Sequence, residues 1–268
     1  MLKTRVITAL IIAALLIPAI FLLADRVWSL LSALITGIAA WEFARLSRFS
    51  TTAQLVFGTL VGVLAAALAL MLNAAELNAF GLLALYSSVF FWAAVVPFWL
   101  RARWDVREKW KMALVGVIVL LPTWYALISI RSHGAAWLFG ALLLVALADI
   151  SAYFFGRAFG KRKLAPNISP GKTWEGAVGA MFTVTLVAVV TQWVLGGPDI
   201  GRTLALLLAM PLLTLVSIAG DLFESLLKRQ VGLKDSSQLL PGHGGILDRI
   251  DSHTAALPMI ALLLIVLK

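Results

Sequence analysis

Nine apolar runs, near 5–24, 27–46, 53–72, 77–100, 111–130, 135–156, 175–195, 202–225 and 252–267, leave only short polar joints between them, and they decide what this chain can become. Inside hydrocarbon every backbone N–H and C=O must be paired within its own segment, so stretches of about 20 apolar residues read as helices crossing roughly 30 Å of bilayer. With 62% hydrophobic and 13% charged residues and a mean hydropathy of +0.98 over 268 residues, a water-soluble reading is excluded, and no room remains for a separate soluble domain. The expected fold is all-α, a polytopic integral membrane protein of about nine transmembrane helices.

An odd number of crossings puts the N-terminus and alternate loops on one side. That side collects Lys3, Arg5, Arg45, Arg48, Arg101, Arg103, Arg107, Lys109, Lys111, Arg157, Lys161, Arg162, Lys163, Lys172, Lys228, Arg229, Lys234 and Arg249, whereas only Arg26, Arg131, Arg202 and Lys268 fall opposite. The positive-inside bias therefore predicts a cytoplasmic N-terminus. The first run is too long for the core of a signal peptide and offers no small-residue cleavage site over 18–25, so it is read as a retained span. Gly58 and Gly62 form a small-residue pair that would let two helices approach closely. No internal repeat is visible, which weakens the inverted-repeat architecture of many secondary transporters.

The net charge of +9 points to an anionic lipid or substrate. Nucleic acid is a poor competitor, because the basic residues sit in short loops rather than along one exposed face. Without cysteine, any ion must be held by carboxylates, histidines or backbone. No His-Glu-x-x-His pattern occurs and His133, His243 and His253 are scattered, so zinc is not expected. The spans within 1–134 carry little intramembrane charge and are expected to serve packing and a dimer face. Their exception, Glu42, lies one turn from Arg45 and reads as half of an interfacial ion pair.

The polar residues change character within 135–268, which is expected to carry the site. Asp149 lies deep in the sixth run, and the i, i+4, i+7 spacing stacks it with Tyr153 and Gly156 on one helix face. A carboxylate there costs about 2.5–3.5 kcal/mol and should face protein or water. The following joint contains Gly171-Lys172-Thr173, which is not a P-loop. The upstream glycine that motif needs would fall at Pro166, and no strand is expected ahead of it. Ser169 or Thr173 can cap the seventh span, whose N-terminal amides together with Lys172 would favour a phosphate; an ordinary basic loop touching lipid headgroups is the alternative.

Polar chemistry is densest over 220–251. Asp221, Glu224, Ser225 and Lys228, at offsets 0, 3, 4 and 7, form one stripe on an otherwise apolar helix. Beyond them come Arg229, Lys234 and Asp235, then His243 among Gly242, Gly244 and Gly245, then Asp248, Arg249 and Asp251. Glycines permit positive φ and let backbone amides approach an anion. Cations for phosphate and carboxylates for a metal are what phosphoryl or nucleotidyl transfer needs, and Mg²⁺ takes one or two carboxylates with phosphate and water.

The 27 positions from Ser225 through Leu227-Lys228-Arg229, Lys234-Asp235, Ser237, Leu240-Pro241 and His243-Gly244-Gly245-Ile246 to Asp248-Arg249-Ile250-Asp251 resemble the signature of the phosphatidate cytidylyltransferases, the CDP-diacylglycerol synthases. Asp149 with Tyr153 and Gly156, and Ser169-Pro170 with Lys172-Thr173 and Glu175-Gly176, resemble that family's other polar blocks. The first 140 or so residues resemble it only in being apolar and helical. The resemblance implies a homodimeric inner-membrane enzyme that joins CTP and phosphatidate with Mg²⁺ to give CDP-diacylglycerol and pyrophosphate, acting on the cytoplasmic side. On that basis Asp221 and Asp248 are expected as metal ligands, supported by Asp149 or Glu224. Lys172, Lys228, Arg229, Lys234 and Arg249 would meet phosphates, His243, Gly244 and Gly245 would shape the nucleotide pocket, and Ser169, Thr173, Glu175, Ser225, Asp235 and Asp251 would complete the substrate-binding set. A CTP-dependent lipid kinase and a transporter of an anionic solute are the competing readings.

Overall fold

A computed structural model describes residues 2–266, and among them nine helical spans are long and apolar enough to cross a bilayer. The first three are α1 (Leu2–Leu22), α2 (Asp25–Leu46) and α3 (Thr51–Met71). The fourth is compound, with α4 (Ala74–Phe90) passing through a π-turn (Phe91–Val95) into α5 (Val96–Ala102). Then follow α6 (Lys109–Ser132), α7 (Ala135–Phe159), α8 (Trp174–Gly196), α9 (Ile200–Gln230) and α10 (Leu247–Val266). The expected helical membrane fold is found, with one addition. An antiparallel hairpin of β1 (Lys163–Ala165) and β2 (Ser169–Thr173) stands between α7 and α8, where a strandless joint was expected.

Local chemistry sets the element ends. The Asn73 side chain accepts from the Ala75 and Glu76 amides while Glu76 reaches back to the Asn73 N–H, a capping box for α4. Asp199 caps α9 by accepting from Arg202 N at 2.9 Å. Pro97 has no N–H to continue the i to i−4 pattern, and the helix widens just before it. That widened turn carries Phe91 and Trp92, whose rings pack edge-on against Phe223 of α9 at 5.7 and 5.6 Å between centroids.

The molecule is apolar outside as well as inside. Trp92, Trp124, Leu85 and Leu138 are buried, while Leu15, Leu195 and Leu208 are 69%, 82% and 73% exposed. Such a surface requires lipid around it. Helices approach closely through glycine. A Cβ built on Gly37 of α2 would lie 3.0 Å from Gly58 O of α3, and one on Gly220 of α9 would lie 2.7 Å from Asp251 O of α10. The small-residue pair on α3 is thus a packing device, as its spacing predicts.

One end of the bundle gathers the start of α1, the ends of α2, α5, α7 and α9, the hairpin and the start of α10. Thr8 Oγ1 donates to Pro241 O at 2.9 Å, Arg45 Nη1 to Ser236 O at 2.8 Å, and Gln230 Nε2 to Trp104 O at 2.8 Å. Arg48 joins Asp105 at 2.6 Å and Gln230 O at 2.7 Å, and its guanidinium holds the Asp105 carboxyl below its ordinary range. At the other end Arg131 binds Ile20 O, Leu23 O and Asp25. This is the alternation that the distribution of basic residues demands; Lys268 lies outside the described residues.

Candidate active site

At a rise of 1.5 Å per residue the 31 residues of α9 span about 46 Å, more than the hydrocarbon thickness, so its last turns carry charge clear of the lipid. Lys228 Nζ lies 2.6 Å from Glu224 Oε2 one turn back and 2.7 Å from Asp248 Oδ1 on α10, with the three side chains only 3–10% exposed. One turn earlier Asp221 turns toward the hairpin. Its Oδ1 accepts from Ser225 Oγ at 3.1 Å and its Oδ2 pairs with Lys172 Nζ at 2.6 Å. The stripe expected from the sequence therefore divides into a buried triad against α10 and a more open ion pair with β2.

Both oxygens of Asp248 are engaged. Besides Lys228, it accepts at Oδ2 from Ser236 N at 2.8 Å, Ser236 Oγ at 2.9 Å and Gly245 N at 2.8 Å. Three of the four donors share Oδ2, and Oδ1 meets Lys228 alone. Asp248, expected as a metal ligand, here holds the 231–246 loop against α9 through these contacts. Glu224 keeps Oε1 buried without a partner among the described residues, and its Oε2 is bound to Lys228.

The glycines behave as their pattern predicts, with one change of partner. Gly242 and Gly244 have φ of +76° and +83°. Amides of this turn do point at anions, but the anions are side chains of the chain itself. Gly245 N meets Asp248, while Ile246 N and Leu247 N meet Glu42 at 3.1 and 2.6 Å. Glu42 is thus not paired with Arg45, which was the expectation. It is 0% exposed and lies beneath the loop, while Arg45 reaches Ser236 O.

Three carboxylates remain less encumbered. Asp149 of α7, Asp221 of α9 and Asp251 of α10 lie within electrostatic reach of one another, with Lys172 and Arg249 close enough to Asp149 to offset its charge. Ser252 ties two of them together, its Oγ donating to Asp149 at 3.3 Å and its N–H to Asp251 at 2.7 Å. Among the described residues no three acidic or histidine side chains form a closed metal cage. Asp149 and Asp221 do offer what Mg²⁺ favours, hard oxygen donors on two elements, with phosphate and water to supply the remaining ligands.

Other expected residues take structural posts. Thr173 caps α8 by accepting from Gly176 N at 3.2 Å, settling the choice between it and Ser169, which pairs with Ala165 in the hairpin. Glu175 accepts from Lys161 N, Arg162 N and Arg162 Nε, pinning the hairpin base. Tyr153 is 59% exposed, so Asp149 reaches the cluster without it. Arg229 is exposed and bonds its own turn at Leu233 O, Lys234 and Asp235 are exposed on the loop, and His243 is half-buried. The sequence reading overlooked Ser236 and Ser252 and gave Glu42 only a pairing with Arg45. Glu42 was visible as a carboxylate within an apolar run; the two serines carried no signal.

Lipid-facing helices whose carboxylates and lysines converge at one end define a polytopic membrane protein with a charged site at its helix termini. Over residues 3–267 the chain matches the cytidylyltransferase family, and it belongs to that family. It is 40% identical to the phosphatidate cytidylyltransferase of Pseudomonas aeruginosa over 270 residues, covering 98% of this chain and 97% of that one. Identity to the enzyme of the same name from Haemophilus influenzae is 34% over 278 residues, 96% of each chain. With that of Staphylococcus epidermidis it is 46% over 136 residues, half of each.

Proposed function

We propose that this chain transfers the cytidylyl group of CTP to phosphatidate, releasing pyrophosphate and forming CDP-diacylglycerol for membrane phospholipid synthesis. The observation that carries the reading is the convergence of Asp149, Asp221 and Asp251 with Lys172 at one end of a lipid-facing bundle, in a chain matched along nearly its whole length by enzymes named for this reaction. A phosphatidate oxygen attacks the α-phosphorus of CTP, the bond to the bridging oxygen of the β-phosphate breaks, and that oxygen leaves with the electron pair as pyrophosphate. The attacking phosphate is already ionised at neutral pH, so no strong base is required and charge neutralisation dominates.

Asp149 and Asp221 would hold Mg²⁺, which when bound offsets negative charge on the triphosphate. Lys172, now on Asp221, is placed to exchange that carboxylate for a phosphate oxygen. Lys228 and Asp248 keep α9 and α10 in register beneath the loop, and Arg249, on the exposed side of α10, meets phosphate from solvent. In this reading the gathered helix ends face the cytoplasm, with the N-terminus on the same side, and the enzyme works as a homodimer in the bacterial inner membrane.

The test is to incubate purified, detergent-solubilised protein with CTP, Mg²⁺ and phosphatidic acid. Cytidine appearing on the lipid together with free pyrophosphate is the expected result. Phosphate transfer to a lipid alcohol with release of CDP would mark a kinase and overturn the proposal.

A further inference from the structure

We propose that Glu42 of α2 is a positioning residue for this reaction, capping the start of α10 from a distant helix and thereby setting where Asp248 and Lys228 stand; the inference rests on the cytidylyl-transfer reading. Its Oε1 accepts from Ser237 Oγ at 2.5 Å and Ile246 N at 3.1 Å, and its Oε2 from Leu247 N at 2.6 Å. The first amides of a helix have no partner within the helix and carry partial positive charge, so a carboxylate is the strongest group that can meet them. A local side chain usually does this. Here the work is shared: Asp248 takes the Gly245 amide, and Glu42, some 200 residues earlier, takes the next two.

The two carboxylates are mechanically linked. Leu247, held by Glu42, directly precedes Asp248, which holds Lys228, so a shift of one displaces the other. Gly245 is wedged between their partners: a Cβ there would fall 2.1 Å from Ser236 Oγ and 2.3 Å from Glu42 Oε1. Arg45, one turn along α2, grips the same loop at Ser236 O. A carboxylate with no exposed surface is costly unless fully hydrogen-bonded, and an apolar side chain would have served packing alone. What the carboxylate adds is a fixed direction for α10.

The experiment compares the wild type with Glu42→Gln, Glu42→Asp and a packing control, Val61→Ala, at a buried position of α3. Glu42→Gln keeps the volume but turns an amide NH₂ toward N–H donors; Glu42→Asp keeps the charge with a shorter reach. We expect Glu42→Gln to lower kcat by about 10-fold or more with KM for phosphatidate within about twofold, since misplacement on the ångström scale costs up to about 100-fold. Glu42→Asp should restore part of kcat. Hydrogen exchange should quicken at the Ile246 and Leu247 amides and stay unchanged in α3 and α6, whereas Val61→Ala should leave the loop's exchange and kcat as in the wild type. If Glu42→Gln fails to fold, Ser237→Ala removes one of the three donors and should give the same pattern in milder form.

Wild-type kcat and wild-type loop exchange in Glu42→Gln, or in Ser237→Ala where that stands in for it, would overturn the inference. So would a kcat loss no larger than that of Val61→Ala. The exchange arm needs no substrate, so failure of the wild type to make a liponucleotide would sink the functional reading separately.

Discussion

Lys228 Nζ stands 2.7 Å from Asp248 Oδ1 across the interface of α9 and α10, and it is the cation that lets Glu224 and Asp248 remain buried. Removing one partner of a buried pair leaves the others uncompensated, at a cost of about 3–5 kcal/mol. Lys228→Met should therefore lower the unfolding temperature in detergent markedly and abolish turnover. Lys228→Arg should not restore either, because a planar guanidinium fork would have to replace a compact ammonium held 2.6 and 2.7 Å from the two carboxylates. Thermal melts and turnover of the three proteins at matched detergent concentration check both statements.

Asp221 and Lys172 form a more open pair, with side chains 27% and 22% exposed. Their contribution to stability is expected to stay below about 1 kcal/mol. Asp221→Asn should leave the melting temperature nearly unchanged but reduce turnover by about 10²–10³-fold, the scale of losing one group that offsets charge in a transition state. Turnover followed across a Mg²⁺ titration is the measurement; near-wild-type rates at every concentration would remove Asp221 from metal binding.

Metal and nucleotide together should stabilise the wild type, because a ligand that binds only the folded state raises its melting temperature. We expect chelation to abolish activity, Mg²⁺ to restore it, and the thermal shift with CTP and Mg²⁺ to vanish in Asp149→Asn. A full shift in that variant would free Asp149 from the proposed role.

Two glycines near the site should respond in opposite ways. At Gly245 an added Cβ would drive into Ser236 Oγ and Glu42 Oε1, whereas at Gly171, on the hairpin, nothing lies within 4 Å. Gly245→Ala should lose most activity and destabilise the loop, while Gly171→Ala should behave as the wild type. Activity and limited proteolysis measured on both variants compare them directly.

The Arg48 and Asp105 pair yields a pH dependence. A carboxyl whose folded titration is depressed stabilises the protein above the unfolded value and loses that contribution as the pH falls through the folded one. Wild type should therefore exceed Asp105→Asn in stability at neutral pH by a margin that shrinks on acidification. Melting temperatures of both proteins from pH 7 down to about pH 3 would show it.

Hydropathy located every span, because lipid demands about 20 apolar residues wherever a helix crosses it. It misplaced two ends by five residues, more than any other. Residues 225–230 and 247–251 are polar enough to leave the apolar count, yet they stay helical, since hydropathy marks contact with lipid and the helix itself needs only paired backbone. The hairpin was hidden for a related reason: Pro166, Pro170 and Gly171 read as punctuation, and its two short strands bury no alternating face. Glu42 was explained away by Arg45, one turn along; helical spacing allowed an ion pair that the loop above them replaced with better partners.

The chain's residue order alone determined a nine-span bundle with its basic residues at one end and the segments that carry its chemistry, because solvation by lipid and by water acts on each stretch independently of the rest. Only the tertiary structure decided which carboxylates stay open and which are occupied. Asp248 is bound by amides and by Lys228 and Glu42 by amides and Ser237, while Asp149, Asp221 and Asp251 lie on three helices within electrostatic reach of one another. A hydrogen-bond donor from a helix far away in sequence decides whether an oxygen is free, and no local pattern encodes that encounter.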